Sequence, residues 1–426
     1  MRVIILVFTL TYTLILSSSG QGETLVDRVY SNEIKTVRIH RPEWNLSYPV
    51  IALNSDEKLI LHFDLLGSDI ETFYYTFIHC DKDWKQSDIA QADYLEGFYE
   101  NQIQDYELSF NTTVNYIHYS LTFPNYDINF KYSGNYIVKV YPIGEADRPV
   151  FTKRFMISEG AAEIKALPQR PKLASYYSTG QQIDFDVDYT GLRISDPHRT
   201  IFASILQNGR WDTASNNIKP DFLGNNKLIF NDLSGKNIFK GGSEFRYFDI
   251  KSLRYHTEYV RAVEHEMGNY HVYLMPSEDR SSRQYFYNQD FNGKYYIAIQ
   301  EGRDHNIEAD YVYVYFTLPS PFPVNNADVY IAGELSDWNY LDENRMRYNQ
   351  ETNNYEATML LKQGWYNYIY VVKDSEGNTL AGKSFESDHF DTENDYLILL
   401  YLSEPSFRYD RLIGSKVVNT LKNKFQ

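Results

Sequence analysis

Apolar and polar residues alternate along most of this chain. In Leu59-Ile-Leu-His-Phe-Asp-Leu65 the odd positions are apolar, and in Gln182-Ile-Asp-Phe-Asp-Val-Asp-Tyr189 apolar and acidic residues alternate without a break. A period of two places one set of side chains on one face of a strand, so both segments read as half-buried strands. The same pattern predicts strands over 73–80, 116–123, 135–143, 200–207, 269–275, 294–300, 311–318, 328–332, 355–361, 366–373 and 395–402. Gly, Asn, Asp and Pro clusters separate them, as in antiparallel sandwiches. Helical spacing is confined to 89–101 and the tail after Tyr409. The expected fold is all-β, with three consecutive antiparallel β-sandwiches and few short helices.

Two breaks divide the pattern. At Ser158-Glu-Gly-Ala-Ala162, with Pro168 and Pro171 beyond, a strand gives way to a loop that cannot continue a ladder. At Leu318-Pro-Ser-Pro-Phe-Pro323 the prolines favour a stiff, extended linker. The units expected are 22–158, 159–320 and 321–405, followed by a basic tail, 406–426. The tail carries Arg408, Arg411, Lys416, Lys422 and Lys424 against Asp410. It reads either as a solvated terminal helix or as a docking element on an otherwise acidic protein.

The first residues supply an address. Met1-Arg2 is a short basic start, Val3 to Leu16 an apolar run, and Ser17-Ser18-Ser19-Gly20 offers small residues for cleavage, so 1–20 is expected to be a signal peptide. No later window reaches the apolar length of a membrane span, so no direct membrane insertion is expected. Loss of Arg2 with the leader moves the formal charge from −16 to −17, which argues against nucleic acid as a partner. Cys80 is the only cysteine, and it reads as a buried filler. The 39 tyrosines, many in runs such as Tyr311-Val-Tyr-Val-Tyr315, support two readings: sheet packing, and an aromatic recognition surface.

The chain shows no Gly-x-Ser-x-Gly, no phosphate-binding loop, no His-Glu-x-x-His and no Cys-x-x-Cys, so neither enzyme activity nor a cofactor is expected. His79-Cys-Asp-Lys-Asp-Trp84 gathers metal-ligating types, but alternation puts His79 and Cys80 on opposite faces. Glu264-His-Glu266 with His271 reads as a polar strand edge. Asp184, Asp186 and Asp188 share one face, spaced by ~7 Å along a straight strand, too far apart to surround a calcium ion. The most distinctive segment is 241–256, where Glu244, Arg246, Tyr247, Asp249, Arg254 and Tyr255 follow a double glycine. It forms either an internal salt-bridge network or an exposed binding ridge, and with Arg408 and Arg411 it supplies the candidate partner contacts.

Two resemblances add to this. Val329-Tyr-Ile-Ala-Gly-Glu-Leu-Ser-Asp-Trp-Asn339, Met346, Tyr355 to Gly364 and Tyr366 to Val372 resemble the early-set sandwiches that accompany glycogen-active enzymes, which implies immunoglobulin-like or early-set-like domains. In those modules the tryptophan corresponding to Trp338 helps stack sugar rings. The second stacking tryptophan is replaced here by Asp374-Ser-Glu-Gly-Asn-Thr379. Across nearly the whole mature chain, Ile39-His-Arg-Pro-Glu-Trp44, Tyr75-Thr-Phe-Ile-His-Cys-Asp-Lys-Asp-Trp84 and Glu244-Phe-Arg-Tyr-Phe-Asp249, with the closing early-set-like module, resemble the plug proteins of the type IX secretion system. The resemblance implies a soluble periplasmic protein, monomeric outside its complex. It would sit at the inner face of the outer membrane against a large translocon barrel of the SprA or Sov type and close it between transport events. An exported glycan-binding accessory protein built on Trp338 is the alternative.

Overall fold

The computed structural model describes residues 24–231, 234–380 and 384–421, so the expected signal peptide lies outside the described residues. Among the described residues strands dominate, and the α-helices are three single turns, Gln91–Tyr94, Pro197–Thr200 and His305–Glu308. The helix expected over 89–101 is thus one turn. Its neighbours Leu95–Gly97 and Asn101–Gln102 pair as short strands instead.

The first sandwich packs the sheet containing Phe151–Ser158, Gly134–Pro142 and Phe73–Cys80 against the sheet of Ile34–His40, Leu59–Leu66, Tyr116–Phe123 and Asp105–Leu108. Alternation explains its core. Phe73, Tyr75 and Phe77 point inward with Phe63, Tyr119, Phe123 and Phe155, and the rings meet edge-on, tilted or stacked. Ile78 and Cys80 leave from the opposite face of the same strand and enter a different apolar cluster.

That second cluster joins the first sandwich to the next one. Strand Asp395–Leu402 is apolar at nearly every position and is buried on both faces. Tyr396, Ile398 and Leu400 enter the core of the second sandwich, whereas Leu397, Leu399 and Tyr401 pack on Val50, Cys80, Ile137 and Met156 of the first. Each leucine fully buried there contributes about 1.5–3 kcal/mol, which holds the two sandwiches as one body.

Strand pairing departs from the consecutive order expected. The second sandwich combines Glu163–Gln169, Gly180–Asp188 and Ile201–Gln207 with Asp395–Leu402 and Arg411–Asn419. Residues 246–374 fold between these two groups as a third sandwich, a nine-stranded sheet wrapped around its own core of Phe248, Val314, Phe316, Val329, Ile331 and Tyr370. The proline stretch at 319–323 therefore joins two strands of one sandwich. Pro319 still pairs with Asn354, and Ser320 N–H donates to Asn353 at 3.0 Å. Pro168 also lies in a strand, at a sheet edge where a missing donor is tolerated. The tail is a strand from Arg411 to Asn419, because Leu412, Ile413 and Val418 are buried.

Tyrosines, buried except for half-buried Tyr340, fasten the sandwiches to one another. Tyr401 donates to Asn135 Oδ1 at 2.8 Å, Tyr116 to the Ala309 carbonyl at 2.8 Å, Tyr311 to Asp64 Oδ2 at 2.6 Å and Tyr340 to Asp212 Oδ2 at 2.7 Å. Each bond crosses between two sandwiches. A phenol suits such a joint because its ring packs while its hydroxyl finds a fixed acceptor.

Candidate functional site

The junction between the first and third sandwiches is polar and buried. Asp64, on strand Leu59–Leu66, receives Lys362 Nζ at 2.6 Å, Tyr311 Oη at 2.6 Å and His118 Nδ1 at 2.6 Å. Both side chains of the Asp64–Lys362 pair are 1% exposed. Burial works to raise the Asp64 carboxyl, but Lys362 and His118 outweigh it and hold it below the usual carboxylate range. His118 Nε2 lies 3.0 Å from His62 Nδ1, and the His40, His62 and His118 rings stack in sequence. Burial pushes His40 down to about 4 and His62 lower still, so both rings are neutral at physiological pH. This Asp-His-His series resembles a relay. It is sealed inside the joint, however, and fastens two sheets rather than facing a substrate.

A cavity of about 330 Å³ opens where all three sandwiches meet. Its wall takes Arg38, Tyr48 and Lys153 from the first, Leu206, Trp211 and Asp212 from the second, and Lys294, Glu334 and Trp338 from the third. Lys153 pairs with Asp337, whose carboxyl burial raises to about 6 despite that lysine. Arg210, paired with Asp212 at 2.8 Å, lies over the Trp338 ring at 4.3 Å. Phe245 meets the edge of the indole, and a Cβ on Gly293 would come within 2.7 Å of it. Trp338 is therefore committed to the joint, with one face under an arginine where sugar stacking needs an open one.

The 241–256 segment separates into an inner and an outer part. Arg246 is 4% exposed, pairs with Glu386 at 2.7 Å and donates to the Glu278 carbonyl at 2.8 Å. Glu244 is equally buried and accepts from Tyr285 at 2.7 Å. Tyr247 lies stacked on Trp365 and donates to Glu258 at 2.6 Å, while Asp249 pairs with Lys251 at 3.1 Å. Glu244 and Arg246 thus belong to an internal network, while half-buried Tyr247 and Asp249 make local contacts at its outer side. Arg254 and Tyr255 are exposed, the latter at 68%. Among the tail arginines, Arg411 grips Glu159 through two bonds, and Arg408 makes an exposed pair with Asp88 at 3.5 Å.

The suspected metal groups resolve into ordinary contacts. His79 is held between Ser87 Oγ at 2.8 Å and the Ser133 carbonyl at 3.0 Å, and Cys80 points away from it into the joint. Asp184 and Asp186 pair with Lys172 and Lys227. His265 lies against Tyr270 with the rings tilted at 50°, and His271 bonds Tyr315 at 2.9 Å. Among the described residues no group of three or more His, Cys, Asp or Glu is placed to hold a metal ion.

Sequence reasoning missed one surface. Residues 98–110 run along one side of the first sandwich, where Asn101–Gln102 and Asp105–Leu108 are the last strands of its two sheets. Phe98, Tyr106, Leu108 and Phe110 are between 45% and 70% exposed there. Only the Tyr106–Leu108 alternation in Asp-Tyr-Glu-Leu hints at the segment, and it is too short to distinguish an inward face from an outward one.

Residues 34–159, the span of the first sandwich, match the family model described as type 9 secretion system plug protein 1st domain. The crystal structure of a hypothetical protein from Parabacteroides merdae ATCC 43184 is 32% identical to this chain. It superimposes with a TM-score of 0.89 over 93% of this chain and 100% of that one. The chain belongs to the type IX secretion plug family. Since the similar structure covers all three sandwiches, the plug family's first domain occurs here inside a larger, interlocked body. A Pseudomonas fluorescens alkylpurine DNA glycosylase AlkC bound to abasic-site DNA shares 10% identity over 29% of this chain and 30% of that one. Its TM-score of 0.16 carries no argument about the plug protein. No curated protein matches the chain.

Proposed function

We propose that this plug-family protein is a non-enzymatic stopper. It binds the periplasmic opening of a type IX outer-membrane translocon, a barrel of the SprA or Sov type, and seals the pore when no substrate is in transit. Family membership carries the reading, and the mechanics support it. A pore wide enough for folded proteins would leak when empty, and a stopper for it has to resist deformation. Shared apolar packing, the Asp64–Lys362 pair and the tyrosine bonds join the three sandwiches into such a body.

In this reading the chain is exported by its leader and remains monomeric until it docks. Contacts come from exposed groups: Arg254 and Tyr255 on the third sandwich, Arg408 beside the last strand, and the 98–110 edge of the first. An exposed aromatic and arginine surface suits a reversible interface, since such side chains dominate binding at small ordering cost. Buried Glu244 and Arg246, with half-buried Tyr247, Asp249 and Arg411, support the body behind that surface.

Co-purification with the barrel in detergent tests the proposal, and repeated absence of the barrel from the pulldown refutes it. Deleting the gene while keeping the barrel is expected to make the outer membrane permeable to bulky solutes. Charge or alanine substitutions at Tyr255 and Phe98 are expected to reduce co-purification without changing the melting temperature.

A further inference from the structure

Arg38 stands out among the groups on the central cavity. It is 8% exposed, its Nε is buried without an acceptor, and its side chain makes no hydrogen bond or ion pair among the described residues. An unsatisfied buried donor costs free energy, more so when charged, and folded proteins seldom keep one without a use. Lys294, 7% exposed on the same wall, also lacks a carboxylate partner. It donates to the Leu46 carbonyl and lies 3.5 Å from the centre of the Tyr48 ring.

Charge around the cavity points the same way. Asp337 is answered by Lys153 and Asp212 by Arg210. Arg154 has Asp27 beside it and Lys294 has Glu334 and Asp395 nearby, whereas among the described residues no carboxylate lies within ion-pair distance of Arg38. Beside these groups the wall is apolar, with Ile39, Met156, Leu206 and Leu397. A volume near 330 Å³ lies at the small end of ligand-sized pockets, about 300–1,000 Å³.

We propose that this cavity is a binding site for a small organic monocarboxylate, with its carboxylate on the Arg38 guanidinium and its apolar body against the aliphatic wall. Arginine meets a carboxylate through two parallel N–H bonds, the geometry that an unengaged guanidinium offers. An occupant would touch all three sandwiches at once and brace them. The proposal stands independently of the translocon reading.

Benzoate and inorganic phosphate, matched in ionic strength against chloride, serve as probes with the mature full-length protein, and the melting temperature is the readout. Benzoate is expected to raise it saturably while phosphate does not, because ligand bound to the native state adds stability by mass action. Arg38→Met is expected to raise the melting temperature without ligand, since an unpaired buried charge is removed, and to weaken benzoate binding at least tenfold. Lys294→Met is expected to weaken it as well. The proposal fails if ~50 mM benzoate, far above the Kd of a buried charge-assisted site, gives no saturable rise. It also fails if phosphate acts as strongly as benzoate, or if Arg38→Met lowers the ligand-free melting temperature.

Discussion

The buried tie between the first and third sandwiches can be broken with one substitution. Lys362→Met keeps the aliphatic stem and removes the ammonium, which leaves the Asp64 carboxylate, 1% exposed, with Tyr311 and His118 as its remaining donors. Removing one partner of a buried pair typically costs about 3–5 kcal/mol, because the remaining charge has lost its water and its counter-ion. The Asn306 carbonyl loses its 2.6 Å donor too but keeps Tyr116 Oη at 3.0 Å, so the cost rests on Asp64. Urea unfolding is the assay. The midpoint should fall in Lys362→Met, with a similar slope if the three bodies still unfold together. The double variant Asp64→Asn/Lys362→Met, which buries neither charge, should recover much of the loss, giving a coupling energy of more than about 1 kcal/mol in the cycle. A single substitution costing under about 1 kcal/mol, or strictly additive costs, would show that water reaches this pair and would refute the description of the joint.

Other expectations follow from the same interior. His40 and His79 titrate at about 4 in the native state against ~6.5 unfolded, so the unfolded chain binds more protons between those values and stability falls as pH drops through that window, by up to about 3 kcal/mol for each ring; denaturant midpoints at pH 7 and 5 check this, and His79→Gln should flatten the difference. The Asp64 contribution persists above the usual carboxylate pKa and is lost only below it. Burial pushes the Cys80 thiol up to about 12 and the residue is 0% exposed, so a thiol reagent should label it only in denaturant. Leu399→Ala, at the joint between the first and second sandwiches, should cost about 2–5 kcal/mol by urea titration. Gly241→Ala should impair folding, since its Cβ would lie 1.8 Å from the His389 carbonyl oxygen, with a reduced melting temperature as the readout.

Much of the strand content is legible in the sequence, because period-two alternation is a local property. Asp395–Leu402 is an example: its apolar run announces a strand, and burial on both faces explains why the run is continuous. Its partner Ile201–Gln207 lies almost two hundred residues earlier, and no local pattern encodes that distance. Arg411–Asn419 reads as a basic helix because its charges are conspicuous, whereas Leu412, Ile413 and Val418 decide its place. The candidate contacts divide for the same reason. Arg246 is charged and therefore looks exposed, but its counter-ion Glu386 arrives from 140 residues away and takes it inside. Among the candidate contacts in that segment, Arg254 and Tyr255 have the exposure a contact needs.

The return of the chain to the second sandwich, after the third has been built, has a consequence for biogenesis. Strands between 163 and 240 are available early, but their sheet is completed by residues 395–419, so the middle of the molecule cannot close until the end of the chain has arrived. A polypeptide threaded across a membrane from its N-terminus would hold that region open throughout passage, exposed to chaperones and proteases. The last strand thus acts as a full stop. A chain cut short before Asp395 would leave Leu206 and Ile205 without their packing partners, on opposite faces of a strand paired along one edge, marked for removal before it could occupy the place of an intact copy.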